Sequence, residues 1–330
     1  MASHTVALVA AWYASSVLAI VTATTTLQAV RVPCLLCLLQ FSIAAVMQRV
    51  YLTWCRASPA RLYEGKDKAI VHWIAFVYAC GFALTNLAFS SAAPATVETL
   101  KSSEPIATVI LARLALGERE RWLTYCSLVP TVVGTAMASF GGDDLGWIAL
   151  FATIASNFAF AARAVLVKAL KREHHNSPCA RSDALLFFRV SSIGAIWLLP
   201  LGLWDVYSSR SELASQMQYS PSIALSMLAN GIAHASYNQL SFHVLSRVAT
   251  SSHAMLNIFR RLCLIVVTVA IFHTPMGGYK WFGVGLAVAG VALFAREKGR
   301  PPPKNPFDRY LLLGNGASGL DRVMVEEKGS

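Results

Sequence analysis

Ten long apolar runs constrain this chain more than any other feature of its sequence. They cover residues 6–27, 34–54, 69–92, 94–116, 122–140, 145–167, 185–204, 222–245, 249–273 and 280–296. Each is roughly 17–25 residues long, the length that a helix needs to cross about 30 Å of bilayer hydrocarbon. Strands of a membrane barrel would be about ten residues long and alternate in polarity, and these runs do not alternate. The pattern predicts an all-α membrane protein with ten transmembrane helices.

The charged residues are few and lie mostly between the runs. They make up 14% of the 330 residues, against about 25% in soluble domains, which excludes an ordinary soluble enzyme. If the loops between the ten runs alternate between the two sides of the membrane, 20 basic residues lie on the same side as the two chain termini. The opposite side holds only Arg31, Arg210 and Lys280. Because short basic loops stay in the cytosol, we expect cytosolic termini. The net charge of +11 then reflects insertion in a lipid bilayer, and no nucleic-acid partner is expected.

Five basic residues lie inside the runs, where a central charge costs about 2.5–3.5 kcal/mol on insertion scales and marks a candidate functional site. They are Lys101, Arg163, Arg189, Arg260 and Arg261. Arg163 and Arg189 lie within one or two turns of cytosolic run ends, so we expect both side chains to extend to the interface. Lys101, Arg260 and Arg261 lie deeper, and they are the candidates for an anion-binding site.

The alternative for the deep cations is a structural ion pair, and few acids are available for one. Glu98 and Glu104 are the only acids that we place inside a run, each three residues from Lys101. On a helix this spacing puts all three on neighbouring faces, so both acids are candidates to tune the site. Glu98 can reach Lys101 and pair with it, and the alternatives are that it turns away, takes up a proton or faces the non-cytosolic vestibule. Arg260 and Arg261, near the middle of run nine, point about 100° apart on a helix and cannot both reach one interface. We therefore favour a substrate site over a structural role.

The ten runs divide into two halves of five, and an odd number of helices inverts the second half in the membrane. Lys101 lies in the fourth run of the first half, and Arg260 and Arg261 lie in the fourth run of the second. Binding groups near the midplane of an inverted 5+5 repeat are typical of transporters. We predict one transporter domain over 1–298 and a polar cytosolic tail over 299–330, disordered by composition. Gly283, Gly285 and Gly290 would suit close helix contact at a repeat interface or in a homodimer.

The sequence shows no sign of a catalytic or metal site. No glycine loop typical of phosphate cradles and no Ser/His/Asp triad occurs, and the Cys34–Cys37 pair has no second pair to complete a zinc site. We expect no enzyme activity, no metal and no cofactor. The alternative from another class is an intramembrane enzyme acting on a lipid phosphate, which would need a nucleophile or an acid–base pair beside the cations.

Five stretches, in order and with matching spacing, resemble the triose-phosphate/nucleotide-sugar transporters of the drug/metabolite transporter superfamily. They are LKSSEPIATVILARLALGERE (100–120), SLVPTVVGTAMAS (127–139), SNFAFAARAVLVK (156–168), YNQLSFHVLSRVATSSHAMLNIFRRLCLIVV (237–267) and GVGLAVAGVALFAREK (283–298). The resemblance covers residues 70–298 well and 8–60 more loosely. It implies a sugar-phosphate transporter domain.

The resemblance also implies which residues hold the substrate. Lys101, in L-K-S-S-E-P, matches a phosphate-binding lysine of the plastidic translocators, and the pair Arg260 and Arg261 matches their Lys-Arg pair. Tyr237, in Y-N-Q, and Thr85, in L-T-N, match a tyrosine and a threonine that contribute to the same site. The chemistry agrees, because arginine offers phosphate a two-pronged fork and lysine a point charge.

Three departures from the translocator pattern bear on the substrate. Phe82 and Glu98 stand where the translocators have histidine, and Ala23–Thr24 stands where they have Asn-Lys. The cations are kept while part of the polar shell is lost, which favours a pentose phosphate, a hexose phosphate or a nucleotide sugar over triose phosphate.

The resemblance implies an antiporter that works by alternating access and exchanges a phosphorylated sugar, or a related organic phosphate, for another phosphate compound or inorganic phosphate. The alternative within transport is exchange of a nucleotide sugar for a nucleoside monophosphate. No Arg/Ser-rich transit peptide precedes the first run, so we expect the Golgi or endoplasmic reticulum membrane rather than a plastid envelope.

Overall fold

The computed structural model describes residues 2–55, 67–117, 122–139, 146–174, 177–219, 222–245, 250–274 and 276–298. Every regular element in these ranges is a helix, and none is a strand, which confirms the expected all-α class. The helices are α1 (Ala2–Ala29), α2 (Pro33–Trp54), α3 (Lys68–Phe89), α4 (Pro94–Lys101), α5 (Glu104–Leu116), α6 (Trp122–Ser139), α7 (Trp147–Glu173), α8 (Pro178–Arg181), α9 (Asp183–Ser208), α10 (Arg210–Tyr219), α11 (Ser222–Leu245), α12 (Thr250–Phe272) and α13 (Gly278–Lys298). The predicted tail at 299–330 lies outside the described residues.

Six of the described helices are long and apolar enough to cross a membrane, which makes the chain a multi-pass membrane protein. They are α1, α2, α3, α7, α9 and α13, and α6 is a shorter apolar helix. α11 and α12 coincide closely with the runs at 222–245 and 249–273 but are not in this group. The count of ten spans stays a prediction.

The fourth predicted span, 94–116, is two helices and not one. α4 ends at Lys101 and α5 begins at Glu104, with a turn at Ser102 and Ser103 between them. Pro105, the second residue of α5, explains the break: in a continuous helix its ring would clash with the carbonyl of residue 101, and it has no N–H to donate. The interruption places a charged residue at each new helix end.

The helices pack mainly in pairs between the first and second halves of the chain. α1 packs along α11, α2 along α9, α3 along α7 and α6 along α13, while the short α4 packs against α12. The α6–α13 pair is the tightest in backbone approach: a Cβ added to Gly283 would lie 2.7 Å from the Ala138 nitrogen. Gly290 is equally crowded, by Thr131, whereas Gly285 faces open space. Two of the three expected contact glycines thus serve this intrachain interface.

Arg189 differs from its expected position at the membrane interface. It is 5% exposed, and its Nη1 lies 3.6 Å from the Asp67 Oδ1, which belongs to a fully buried residue immediately before α3. A buried carboxylate within reach stabilises the guanidinium inside the protein, so the side chain does not need to extend to the interface. Arg163 also stays inside, with its guanidinium 4.5 Å from the centre of the Tyr78 ring.

Candidate functional site

A cavity of about 230 Å³ lies among α1, α2, α3, α4, α5, α7, α11 and α12. Its wall contains all five predicted substrate residues and both predicted tuning acids: Thr85, Glu98, Lys101, Glu104, Tyr237, Arg260 and Arg261. Residues up to 176 positions apart in the sequence therefore meet at one place. Their role in binding stays a prediction, but the structure brings every one of them together.

Lys101 reaches the cavity from the last residue of α4 and is 8% exposed. Its Nζ donates to Thr85 Oγ1 at 2.9 Å and to Ser156 Oγ at 3.4 Å. Both hydroxyls donate to the same carbonyl, that of Gly81, at 2.8 and 2.9 Å. The ammonium group also lies 4.5 Å from the centre of the Phe160 ring. Neutral oxygens and a π-face hold the ammonium group here, and no carboxylate of the described residues pairs with it.

Asn157 fixes the break that presents Lys101 to the cavity. Its Nδ2 donates to the Leu100 carbonyl at 3.2 Å and to Ser103 Oγ at 3.1 Å. The Leu100 carbonyl also accepts from the Ser103 backbone N–H at 3.1 Å and from Ser103 Oγ at 2.7 Å, so Asn157 is a further donor to a turn that Ser103 already closes. The Asn157 side chain is 3% exposed, and its two bonds tie α7 to this turn inside the protein.

Arg261 lies between the two acids. Its Nη2 donates to Glu104 Oε2 at 2.6 Å, and its Nη1 lies 3.8 Å from Glu98 Oε2. Of the alternatives for Glu98, the pair with Lys101 is not formed: no ion pair joins the two residues in the described part of the chain. The Lys101 side chain turns toward α3 and α7, where the hydroxyls of Thr85 and Ser156 receive it, and the Glu98 carboxylate faces α12.

Arg260 has different neighbours from the adjacent arginine, as two consecutive helical residues must. Its Nε donates to Asn257 Oδ1 at 3.0 Å, and its guanidinium lies 5.6 Å from the centre of the Trp12 ring on α1. No carboxylate among the described residues lies within ion-pair distance of it. Arg260 and Lys101 are therefore two cavity cations whose direct contacts with described residues are with neutral groups, while Glu98 and Glu104 lie farther from them on the same wall.

One part of the cavity wall is a cluster of aromatic rings. The Tyr237 ring lies 5.4 Å from the ring of His234, which lies 4.6 Å from the ring of Phe82. Phe82 also packs edge-on against Phe160 at 5.0 Å and Tyr78 at 4.9 Å. Phe82 thus contributes an apolar surface at a position where the sequence analysis noted a lost histidine. A solute bound here would meet cations on one side and rings on another.

A second cavity of about 180 Å³ adjoins the first and lies among α3, α7 and α9. Tyr78 and Arg163 line both cavities, so this stacked pair forms the partition between them. The Tyr78 hydroxyl donates to Asn238 Oδ1 at 3.0 Å, which ties α3 to α11. Lys171 and Asp183 form an ion pair of 2.9 Å on the wall of the second cavity.

Several neighbours of the cations were missed in the sequence analysis. Ser156, Asn257 and Tyr78 are neutral residues in apolar helices, where such residues are common, and no spacing singles them out. In the described part of the chain, no group of three His, Cys, Asp or Glu residues could hold a metal ion.

The chain was also compared with known protein families. The model of the Triose-phosphate Transporter family matches residues 3–295. The chain belongs to this family. Members of the Triose-phosphate Transporter family are transporters and not enzymes, so the resemblance stated from the sequence is confirmed, and the protein is a membrane transporter.

Individual members of the Triose-phosphate Transporter family align over most of the chain. Phosphoenolpyruvate/phosphate translocator 3, chloroplastic, of Oryza sativa subsp. japonica is 30% identical over 91% of this chain and 75% of its own length. Phosphoenolpyruvate/phosphate translocator 1, chloroplastic, of Arabidopsis thaliana is 27% identical over 90% of this chain and 72% of its own length. A triose phosphate/phosphate translocator of non-green plastids from Brassica oleracea var. botrytis is 27% identical over 90% of this chain and 74% of its own length.

The fold also has a solved counterpart. A protein crystal structure, 16% identical to this chain, superposes with a TM-score of 0.51 over 90% of this chain and 99% of the other. At this identity the similarity concerns the fold alone. The family members named above are chloroplastic proteins, so the expected Golgi or endoplasmic reticulum location receives no support from them.

Proposed function

We propose that this chain is an antiporter that exchanges a compact phosphorylated organic solute for inorganic phosphate by alternating access. The observation that carries the proposal is the central cavity, where neither Lys101 nor Arg260 has a carboxylate of the described residues within ion-pair distance. Cations that are partly removed from water without a directly paired acid are costly, and a phosphate group would supply that partner. The names of similar relatives, phosphate translocators of phosphoenolpyruvate and triose phosphate, support the phosphate part of this proposal, and the organic part of the solute is argued from the cavity of this chain.

In the proposed complex the phosphate lies between α4 and α12. Lys101 offers a point charge and Arg260 a fork of N–H donors, which suits phosphate oxygens. Thr85 holds the Lys101 ammonium group in place, and Tyr237 offers a phenolic donor from the aromatic wall. Arg261 is engaged by Glu104 and Glu98 in the empty cavity, and an incoming phosphate competes with those carboxylates for it.

Obligatory exchange has a simple electrostatic basis in this arrangement. When the cavity is empty, its unpaired cations repel one another and lose hydration if the protein closes around them. A bound anion neutralises the cations, so only the loaded protein passes easily through the closed state. Each passage therefore carries an anion, and net transport in one direction requires a return anion.

The helix pairing supports the ten-helix inverted repeat. If α4 and α5 count as one interrupted span, the first half is α1, α2, α3, α4–α5 and α6, and the second is α7, α9, α11, α12 and α13. Exchanging the halves turns the α1–α11 pair into the α7–α3 pair and leaves the α2–α9, α4–α12 and α6–α13 pairs unchanged. Such a two-fold pattern, with a broken helix at the centre, is typical of inverted-repeat transporters.

The two adjoining cavities fit alternating access. The Tyr78–Arg163 stack separates the central cavity from the second one. Movement of α3 against α7 would open this partition and join the two spaces. The Lys171–Asp183 ion pair between α7 and α9 lies on the wall of the second cavity, so a solute that leaves the central cavity through the open partition would pass it.

The cavity size separates the candidate substrates. A volume of about 230 Å³ lies below the 300–1,000 Å³ that is usual for drug-sized ligands. This favours a sugar phosphate or a similarly small phosphate compound over a nucleotide sugar. A lipid-phosphate enzyme is excluded by the family.

The substrate class is tested with purified protein in liposomes that contain inorganic phosphate. Uptake of labelled inorganic phosphate is challenged with a panel of sugar phosphates, nucleotide sugars, nucleoside monophosphates and phosphatidic acid. We expect inhibition by compact phosphate compounds only. Inhibition by a nucleoside monophosphate and its nucleotide sugar, but not by sugar phosphates, would establish the alternative antiporter instead.

The membrane is tested by imaging the full-length chain with a fluorescent tag. The chloroplastic relatives favour a plastid membrane, whereas the sequence analysis favoured the Golgi or endoplasmic reticulum. Co-localisation with a plastid-envelope marker is the expected result, and a Golgi pattern would restore the earlier expectation.

A further inference from the structure

We infer that Glu98 makes the central cavity select phosphate monoesters without a further negative charge over those that also carry a carboxylate. This inference rests on the proposed function and names a specificity-determining residue for it. It follows from the arrangement of two carboxylates around one guanidinium.

Arg261 is shared by two acids, and Glu98 is the more buried of them. The Glu98 side chain is 5% exposed and the Glu104 side chain 29% exposed. Glu104, at 2.6 Å, already matches the single charge of Arg261. Glu98, at 3.8 Å from the same group, therefore adds a second negative charge beside Arg261, and this charge is weakly screened by solvent because the side chain is buried.

The formal charges of the residues that line the central cavity sum to two positive charges. Among the described residues the wall has four cations, Lys101, Arg163, Arg260 and Arg261, and two carboxylates, with His234 counted as neutral. A phosphate monoester carries about two negative charges at pH 7 and balances the wall. A solute with an additional carboxylate leaves a surplus negative charge in a low-dielectric site, which opposes binding.

The positions of the cations lead to the same conclusion. Lys101 and Arg260 suffice for the phosphate, so a second acidic group of the solute would need Arg261 or Arg163. Arg261 is held by Glu98 and Glu104, and Arg163 stacks on Tyr78 at the partition. Glu104 and Glu98 together thus keep Arg261 from a second acidic group, and Glu98, the more buried of the two, also repels that group.

The test compares two solutes that differ by one functional group. Glycerol 3-phosphate and 3-phosphoglycerate have the same three-carbon frame, with a terminal alcohol in one and a carboxylate in the other. Each is used to inhibit exchange of labelled inorganic phosphate in liposomes, and the ratio of the two inhibition constants is the readout. A general loss of activity in a variant cancels in this ratio.

We expect the wild-type protein to bind glycerol 3-phosphate about tenfold more tightly than 3-phosphoglycerate, as one uncompensated charge predicts. Glu98→Gln, which keeps the shape of the side chain, should reduce this ratio to about one or reverse it, and Glu98→Asp should retain a preference for glycerol 3-phosphate. Glu212→Gln makes the same chemical change on the exposed face of α10 and should keep the wild-type ratio. Glu98→Ala serves as the second variant if Glu98→Gln does not fold.

Two results would overturn the inference. The first is a wild-type protein that binds 3-phosphoglycerate as tightly as glycerol 3-phosphate, which needs no variant to establish. The second is a wild-type ratio that persists in Glu98→Gln or Glu98→Ala while phosphate exchange is still measurable. Exchange with an unchanged ratio overturns only the role of Glu98, whereas a wild-type protein without any phosphate exchange overturns the proposed function and this inference together.

Discussion

At the scale of single residues, the two adjacent arginines of α12 have separable roles. Arg260 contacts the neutral partners Asn257 and Trp12, so Arg260→Ala removes the proposed phosphate contact and breaks no ion pair of the described residues. A charge-assisted contact contributes about 1.5–3 kcal/mol, so KM for phosphate should rise about 10- to 150-fold while Tm stays close to wild type. Arg210→Ala, at an exposed arginine on the first residue of α10, is the control. An unchanged KM in folded Arg260→Ala protein would remove Arg260 from the site.

Arg261→Ala should behave differently from Arg260→Ala. It leaves Glu98 and Glu104 facing each other without their shared cation, and removing one member of a buried ion pair costs about 3–5 kcal/mol. We expect a clear fall in Tm, measured by thermal unfolding in detergent, in addition to lost exchange. Arg261→Ala combined with Glu98→Gln and Glu104→Gln should recover much of the Tm but not the exchange. A Tm equal to wild type in Arg261→Ala alone would show that the two ion pairs contribute little.

At the scale of helices, the approach of α6 to α13 depends on glycine. A Cβ at Gly283 would overlap the backbone of Ala138 and Gly134, whereas a Cβ at Gly285 meets nothing within 4 Å. Gly283→Ala should therefore lower Tm, because the two helices must separate. Gly285→Ala, two residues along the same helix, should be neutral or slightly stabilising, because alanine is the better helix former by about 1 kcal/mol. Equal Tm values for the two variants would contradict the tight α6–α13 packing.

The helices also show which parts of the fold and the candidate site could be predicted from the sequence. Lys101, Arg260 and Arg261 could be found because charges inside apolar runs are rare, and all three line one cavity. The break after Lys101 was missed although Pro105 was visible, because apolar length alone cannot distinguish one span from two half-helices. For Glu98 the sequence offered only Lys101 as a possible partner, because helical spacing ranks neighbours on one helix only. Its actual neighbour, Arg261, belongs to α12 and depends on tertiary packing.

At the scale of the whole molecule, the prediction concerns the side of the membrane on which each chain terminus lies. The ten-span count and the basic loops predict that tags at residues 1 and 330 both face the cytosol. Protease protection of the two tags in sealed vesicles tests this, with a tag of known orientation on another membrane protein as the control. Tags on opposite sides would refute an even number of spans, and with it the 5+5 arrangement.

The measurement that tests the central claim most directly is counter-exchange by the wild-type protein in liposomes. Labelled inorganic phosphate is added outside vesicles that contain either unlabelled phosphate or a buffer without phosphate compounds. In the proposed mechanism a cavity without an anion closes poorly around its cations, so we predict rapid uptake into phosphate-loaded vesicles and little uptake into the others. Equal uptake into both kinds of vesicle would contradict exchange by this protein, and no uptake into either would contradict phosphate as a substrate.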